Sequence, residues 1–332
     1  MTLHLVGVDL PPHTIGGVAS WTADAASAIA GAGEPVVLYG RRQGRTSEWD
    51  EARPHPVVRM RGRAWVQRQA LWAVLTVGPR LRRGDRLLCA TWTVAHALVP
   101  LARSLGIPIA IAAHGSELTQ HATPPPALQG VGPHVHWLPV SRFLADELDR
   151  LGGSEWPRTI APMPLSIPPL RNHDGRSGLV CVARHTPLKG LDRAARLAAR
   201  LGERLVIIGS PDGPDGTDAR GPLSRAETRS LLTQARAAVL LPRTTPDGRG
   251  AEGLGLALLE AAAHGTPVIG CRTGGVPEAV GPGLLLDDAD DPDPDVVQEW
   301  LDDPDRGPAA HQWVRSHHGP LRFLAAVDEA WS

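Results

Sequence analysis

Lys189 is the sole lysine among the 34 basic residues of this 332-residue chain, and it closes the run Arg184-His185-Thr186-Pro187-Leu188-Lys189-Gly190. A guanidinium offers phosphate oxygens a planar fork and an ammonium adds a point charge, so Arg184 and Lys189 together match a diphosphate. Taken singly, either cation could equally be a solvated side chain. Further on, Glu252-Gly253-Leu254-Gly255-Leu256-Ala257-Leu258-Leu259-Glu260 sets two carboxylates with seven residues between them. Read as one helix, eight steps of about 100° bring Glu260 within about 80° of the direction of Glu252, so both would point toward one cleft. Gly253 and Gly255 remove side chains where that helix is expected to begin, letting a ligand reach backbone N–H groups at the positive end of the dipole. The alternative is an exposed helix with two acidic surface residues. Gly274-Gly275-Val276-Pro277-Glu278 adds flexible backbone after another apolar run. In the first half, Gly16-Gly17-Val18 could present unsatisfied N–H groups at a helix start or simply make a tight turn, and His114 stands at the end of an apolar run.

Other chemistries fit less well. Gly248-Arg249-Gly250-Ala251-Glu252-Gly253 has the G-x-G-x-x-G form, but it lies late in the chain after a proline-containing loop. No Asp or Glu occupies the region about twenty residues onward where ribose recognition would need one, so a nicotinamide dehydrogenase is not expected. The Asp291-Pro-Asp293-Pro-Asp295 run lacks the glycine and distal glutamate of a calcium loop, and its prolines hinder wrapping around a cation; it reads as a solvated loop, and no metal site is expected. Cys89, Cys181 and Cys271 form no CxxC pair, which argues against a disulfide framework or structural zinc. With 42% hydrophobic and 21% charged residues and a formal net charge of -1, the chain is neither a disordered polymer nor a nucleic-acid binder working by bulk charge.

The elements that must position these residues alternate between short apolar runs and Ala-rich helical stretches, the βαβα rhythm of parallel sheets covered by helices. Strands are expected near 3–8, 36–39, 87–90, 109–112 and 136–140, with helices near 18–30, 64–75, 94–105 and 141–151. Four prolines within 161–169 deny a helix or central strand and mark a boundary. The rhythm restarts with strands near 179–183, 205–208, 238–241, 267–270 and 284–286 and helices near 191–201, 224–235 and 253–264. Two doubly wound α/β domains follow, 1–165 and 166–319, with a last helix near 320–332 that could return to the first. Arg184–Lys189 and Gly274–Gly275 then follow strands, where ligands bind in open α/β sheets. No signal peptide or apolar stretch of ~18 residues is present, so a soluble, cytoplasmic protein is expected. Between 59 and 86, Arg59, Arg61, Arg63, Arg68, Arg80, Arg82, Arg83 and Arg86 flank an apolar stretch with Trp65, Trp72, Val74 and Leu75. It reads as a helix packed on its own sheet, or as an interfacial helix giving peripheral contact with the inner face of a membrane.

In order and approximate spacing, strand–Arg-x4-Lys-Gly, Glu-x7-Glu, Gly265-Thr266-Pro267-Val268 and Gly274-Gly275-Val276-Pro277-Glu278 resemble the donor-binding half of glycosyltransferase family 4, the glycosyl transferases group 1. The resemblance covers residues 179–280 well and the first half more loosely, through Gly16-Gly17-Val18 and His114-Gly115-Ser116-Glu117. Leu254 replaces the commoner phenylalanine of the Glu-Gly-Phe-Gly form. The resemblance implies a GT-B fold of two Rossmann-like domains facing across a cleft, and a retaining transfer of a sugar from a UDP- or GDP-linked donor. The acceptor hydroxyl would belong to a small molecule, a natural product or a glycolipid headgroup, and no metal or other cofactor would be required. By that resemblance Arg184 and Lys189 bind the diphosphate, Glu260 the ribose and Glu252 the transferred sugar, with Gly253, Leu254 and Gly255 beside the donor. Gly16 and Gly17 would meet the phosphates and His114 the reacting sugar. On those roles Glu252→Gln would leave binding of a free nucleoside diphosphate nearly unchanged. An epimerase or hydrolase of the same fold, or a catalytically inert nucleotide-sugar-binding subunit, are the alternatives.

Overall fold

The structure is a computed structural model that describes residues 1–332 apart from 13, 15, 43–47, 61–65, 172–174, 246–249 and 288, with backbone alone at 66–69. Arg61, Arg63 and Trp65, the side chain of Arg68, and Gly248 and Arg249 of the G-x-G-x-x-G string therefore lie outside the described residues. The chain divides into two compact units, Met1–Leu165 with Gly319–Ser332, and Ser166–His318.

The first unit is built on a six-stranded parallel sheet of β1 (Leu3–Val6), β2 (Val36–Arg41), β3 (Val57–Met60), β4 (Arg86–Cys89), β5 (Ile109–Ala113) and β6 (His136–Pro139), in the order β3-β2-β1-β4-β5-β6. Its helices are α1 (Gly17–Gly31), α2 (Glu48–Glu51), α3 (Val66–Val77), α4 (Trp92–Leu105), α5 (Ser116–Thr119), α6 (Pro126–Val131) and α7 (Arg142–Arg150). Strands covered on both faces read as continuous apolar runs, and every residue of β5 is buried. Among the polar groups buried here, the His4 ring bonds the Tyr39 hydroxyl at 2.8 Å through Nδ1 and Asp85 at 3.2 Å through Nε2. Strand order reverses between β1 and β4, so the carboxyl ends of these two strands open the crevice of this sheet.

The second unit repeats the plan with β7 (Leu179–Val182), β8 (Leu205–Ile208), β9 (Asp218–Arg220), β10 (Ala237–Leu240), β11 (Val268–Cys271) and β12 (Leu284–Leu286), ordered β12-β11-β10-β7-β8-β9 and all parallel. Its helices are α8 (Leu191–Arg200), α9 (Arg225–Gln234), α10 (Leu256–Ala262), α11 (Val276–Val280), α12 (Pro294–Leu301) and α13 (Arg306–His317), and the reversal falls between β7 and β10. Ser224 and Glu227 close a capping box at the start of α9. The last helix, α14 (Pro320–Glu329), belongs to the first unit and packs on α1.

The α/β architecture read from the sequence is present. Sequence periodicity missed β3 and β9, which lie at the edges of their sheets, are four and three residues long, and carry half-exposed or charged side chains. Among the described residues, no helix is long and apolar enough to cross a membrane.

Candidate functional site

In the second unit, the chain leaves β7 at Val182 and passes exposed Arg184 before a short 3-10 turn, Pro187–Lys189. The Lys189 N–H donates to the Thr186 carbonyl at 3.0 Å, and the Arg243 N–H, just beyond β10, donates to the Leu188 carbonyl at 2.8 Å. The loops after the two strands flanking the reversal are thus tied together. Lys189 Nζ donates to the Glu252 carboxylate, an ion pair whose side chains are 28% and 17% exposed. Arg184 has no side-chain partner among the described residues.

The single-helix geometry expected for Glu252 and Glu260 is corrected. α10 begins at Leu256 and not near 253, because Gly255, its N-cap, has φ +101°, a backbone state that interrupts the helix. Glu252 therefore stands on the loop before α10, whereas Glu260, half-buried, is within the helix. What fixes Glu252 is the Gly274–Gly275 turn after β11. The Gly275 N–H donates to the Glu252 carbonyl at 2.8 Å, and a Cβ on Gly274 or Gly275 would overlap the carbonyl oxygens of Glu252 or Gly253. Gly253, Leu254 and Gly255 are buried between these segments, so Leu254 fills a packed position. Seven sequence-singled residues, Arg184, Lys189, Glu252, Gly253, Leu254, Gly255 and Glu260, accordingly gather on loops and a helix start at the carboxyl edge of one sheet.

Sequence spacing gave no sign of the charges that brace this edge. Arg243 donates twice to Asp192, at 2.5 and 2.7 Å, and reaches Asp290 at 3.2 Å; Arg193 donates to Asp290 at 2.8 Å and to the Pro242 carbonyl at 2.9 Å. The guanidinium of Arg243 holds the Asp192 carboxyl well below the usual carboxylate range. Partners 47 to 97 residues apart leave no local pattern to read.

In the first unit, Gly16 caps α1 and Gly17 is its first residue, at the carboxyl side of β1. His114 directly follows β5; its own N–H and that of Gly115 donate to the Glu117 carboxylate, the second at 3.1 Å. Burial lowers the imidazole's proton affinity, against the opposing charge of Glu117 and a hydrogen bond to the Ala90 carbonyl. Glu117 thus shapes the turn that carries His114, a role its place in the His-Gly-Ser-Glu run did not disclose. Gly16, Gly17 and His114 belong to this unit and the other seven residues to the second.

Residues 176–298 match the family described as Glycosyl transferases group 1. A GDP-mannose-dependent monoacylated alpha-(1-6)-phosphatidylinositol monomannoside mannosyltransferase from Corynebacterium glutamicum is 33% identical over 173 residues, 46% of this chain and 43% of that protein. The chain thus spans less than half the length of that relative. Among solved structures, AviGT4, a glycosyltransferase involved in avilamycin A biosynthesis, superposes with a TM-score of 0.72 at 20% identity over 99% of this chain and 96% of that one. HepE of Anabaena, solved with UDP and glucose, superposes with a TM-score of 0.77 at 12% identity over 98% of both chains. Two parallel six-stranded Rossmann-like sheets and these likenesses give the chain the GT-B fold, and its likeness to the glycosyl transferases group 1 extends over residues 176–298.

Proposed function

We propose that the protein is a retaining glycosyltransferase that moves a sugar from a nucleoside diphosphate sugar to an acceptor hydroxyl. The observation that carries this reading is the pairing of Lys189 with Glu252 at the point where strand order reverses, with Arg184 exposed on the same loop and Glu260 on the adjoining helix. A cation suited to phosphate and a carboxylate suited to sugar hydroxyls meet where open α/β sheets bind ligands. The GDP-mannose dependence of the corynebacterial relative favours a GDP-linked donor over a UDP-linked one.

In this mechanism Arg184 and Lys189 hold the diphosphate and Glu260 accepts hydrogen bonds from the ribose. Glu252, released from Lys189 as the phosphates enter, accepts one from the transferred sugar. Negative charge grows on the leaving phosphate as the anomeric C–O bond breaks, and the two cations offset it. The same phosphate takes the proton of the acceptor hydroxyl, whose oxygen bonds the anomeric carbon on the face just vacated, so configuration is retained. The role of His114 and of the Gly16–Gly17 helix start is contact with sugar and phosphate. No divalent metal is needed, and turnover should persist in EDTA.

Thermal-shift screening against GDP-, UDP- and TDP-linked sugars identifies the donor, since a ligand of the native state raises stability by mass action. Proton NMR of the first-formed product then reads the anomeric configuration; an inverted linkage would reject the mechanism. Donor consumed without any acceptor would favour a hydrolase, and donor bound but never consumed an inert binding subunit.

One observation favours a lipid-linked acceptor and peripheral membrane contact. Leu71 and Leu75, 55% and 54% exposed, stand one turn apart on α3, and exposed Arg80, Arg82 and Arg83 follow it. Co-sedimentation with anionic vesicles, lost in Leu71→Asn/Leu75→Asn, tests that contact.

A further inference from the structure

Trp21 lies in the second turn of α1, the helix opened by Gly16 and Gly17, and is fully buried. Its ring meets the His114 imidazole edge-on, with centroids 4.7 Å apart and planes at 72°. From another side Phe323 of α14, also fully buried, meets it in the same manner at 5.7 Å and 86°. Three rings from α1, the loop after β5 and the last helix of the chain are therefore packed in series, each in the edge-to-face arrangement aromatic groups prefer.

Two polar atoms set this cluster apart from ordinary core. Neither Trp21 Nε1 nor His114 Nε2 has a hydrogen-bond partner among the described residues, and both are buried. Burial lowers the proton affinity of this imidazole while the Glu117 carboxylate raises it. A neutral imidazole carries its proton on one ring nitrogen and a lone pair on the other, and the way the ring is held decides which. We propose that Trp21, backed by Phe323, is a positioning residue that holds the His114 ring in one orientation and so fixes which ring nitrogen is left to accept from a substrate hydroxyl. This rests on the reading of His114 as a site residue for sugar transfer. It makes the C-terminal helix, some two hundred residues away in sequence, part of what orients the site in the first unit. Glu117 is the charged group acting on the imidazole, while α1 faces it through the uncharged Trp21 ring, which α14 backs with Phe323.

The test uses the full chain labelled with nitrogen-15, the His114 signals being assigned by their loss in His114→Gln. The wild type should show a neutral imidazole in a single tautomer around neutral pH, titrating below the ordinary histidine range. Trp21→Leu and Phe323→Leu should blur that single tautomer and raise the titration midpoint, while Trp21→Phe, which keeps a ring in place, preserves both. In transfer assays the two leucine variants should lose roughly tenfold or more in kcat with donor KM within about twofold, and Trp21→Phe should recover most of it. Wild-type His114 spectra in both leucine variants would overturn the proposal. If Trp21→Leu does not fold, Phe323→Leu decides alone. Absence of any transfer by the wild type would defeat the functional reading, whereas the tautomer measurement would still decide whether Trp21 positions the ring.

Discussion

Lys189 and Glu252 are 63 residues apart and in contact, and this one ion pair changes what each is expected to do when removed. On the proposed activity, Lys189→Ala withdraws a charge opposed to the one that grows on the leaving diphosphate. It should cost at least ~2 kcal/mol of transition-state stabilisation, about thirtyfold in kcat/KM; an unchanged kcat/KM would remove Lys189 from the mechanism. For Glu252→Gln, the sugar-binding role implied by the family resemblance suggests no effect on binding of a bare nucleoside diphosphate. The ion pair changes that expectation, because the carboxylate competes with phosphate for Lys189. A partly exposed pair is worth roughly 0.2–1 kcal/mol, so the glutamine variant should bind GDP or UDP up to about fivefold more tightly while turnover falls. Isothermal titration with the free nucleotide measures this, and weaker binding would contradict it.

At the scale of elements, the sequence located every strand but β3 and β9 and most of the longer helices, and placed their ends close to the observed ones, for instance 205–208 for β8 and 191–201 for α8. The start of α10 was misplaced because a run of leucines and alanines after Gly253 has helical periodicity, whereas the backbone at Gly255 does not. Glu252 is held by a neighbouring loop, and that loop is the test. Gly275 has an ordinary φ of -82°, so alanine there meets no conformational penalty and its cost comes from overlap with the Gly253 carbonyl. Gly275→Ala should destabilise the second unit by about 1–3 kcal/mol and displace Glu252. Gly221→Ala, with open space around its Cβ, should lower the melting temperature far less. Equal melting temperatures for the two variants would show that the turn does not press on Glu252.

For the whole molecule, the two units should respond differently to acid. In the first, burial lowers the proton affinity of His4, His55, His114 and His136. Below about pH 6.5 the unfolded chain binds protons that these native imidazoles refuse, so the stability they confer is present above that pH and lost as pH falls. The second unit carries its depressed values on carboxylates: Arg243 acts on Asp192, Arg220 on Asp218 and Arg193 on Asp290. Their contribution persists until pH falls below about 4, the ordinary carboxylate range. Hydrogen exchange corrected for intrinsic rates should therefore show β1 and β2 losing protection between pH 7 and 5 while β7 and β10 keep theirs. Simultaneous loss, or loss in the second unit first, would refute this division.

The sequence by itself determined the alternating α/β plan and pointed to the residue types that suit a nucleotide sugar, because backbone periodicity and short motifs are local properties of the chain. It could not show that Glu252 sits on a loop under Gly275, that Lys189 is paired with it, or that Asp192, Arg193, Arg243 and Asp290 form one braced edge. Nor could it show that Trp21 stands between His114 and Phe323. Each of these joins groups tens to hundreds of residues apart, and which distant side chains meet is decided only when the sheets assemble in their strand order and bring the loops at their carboxyl ends together.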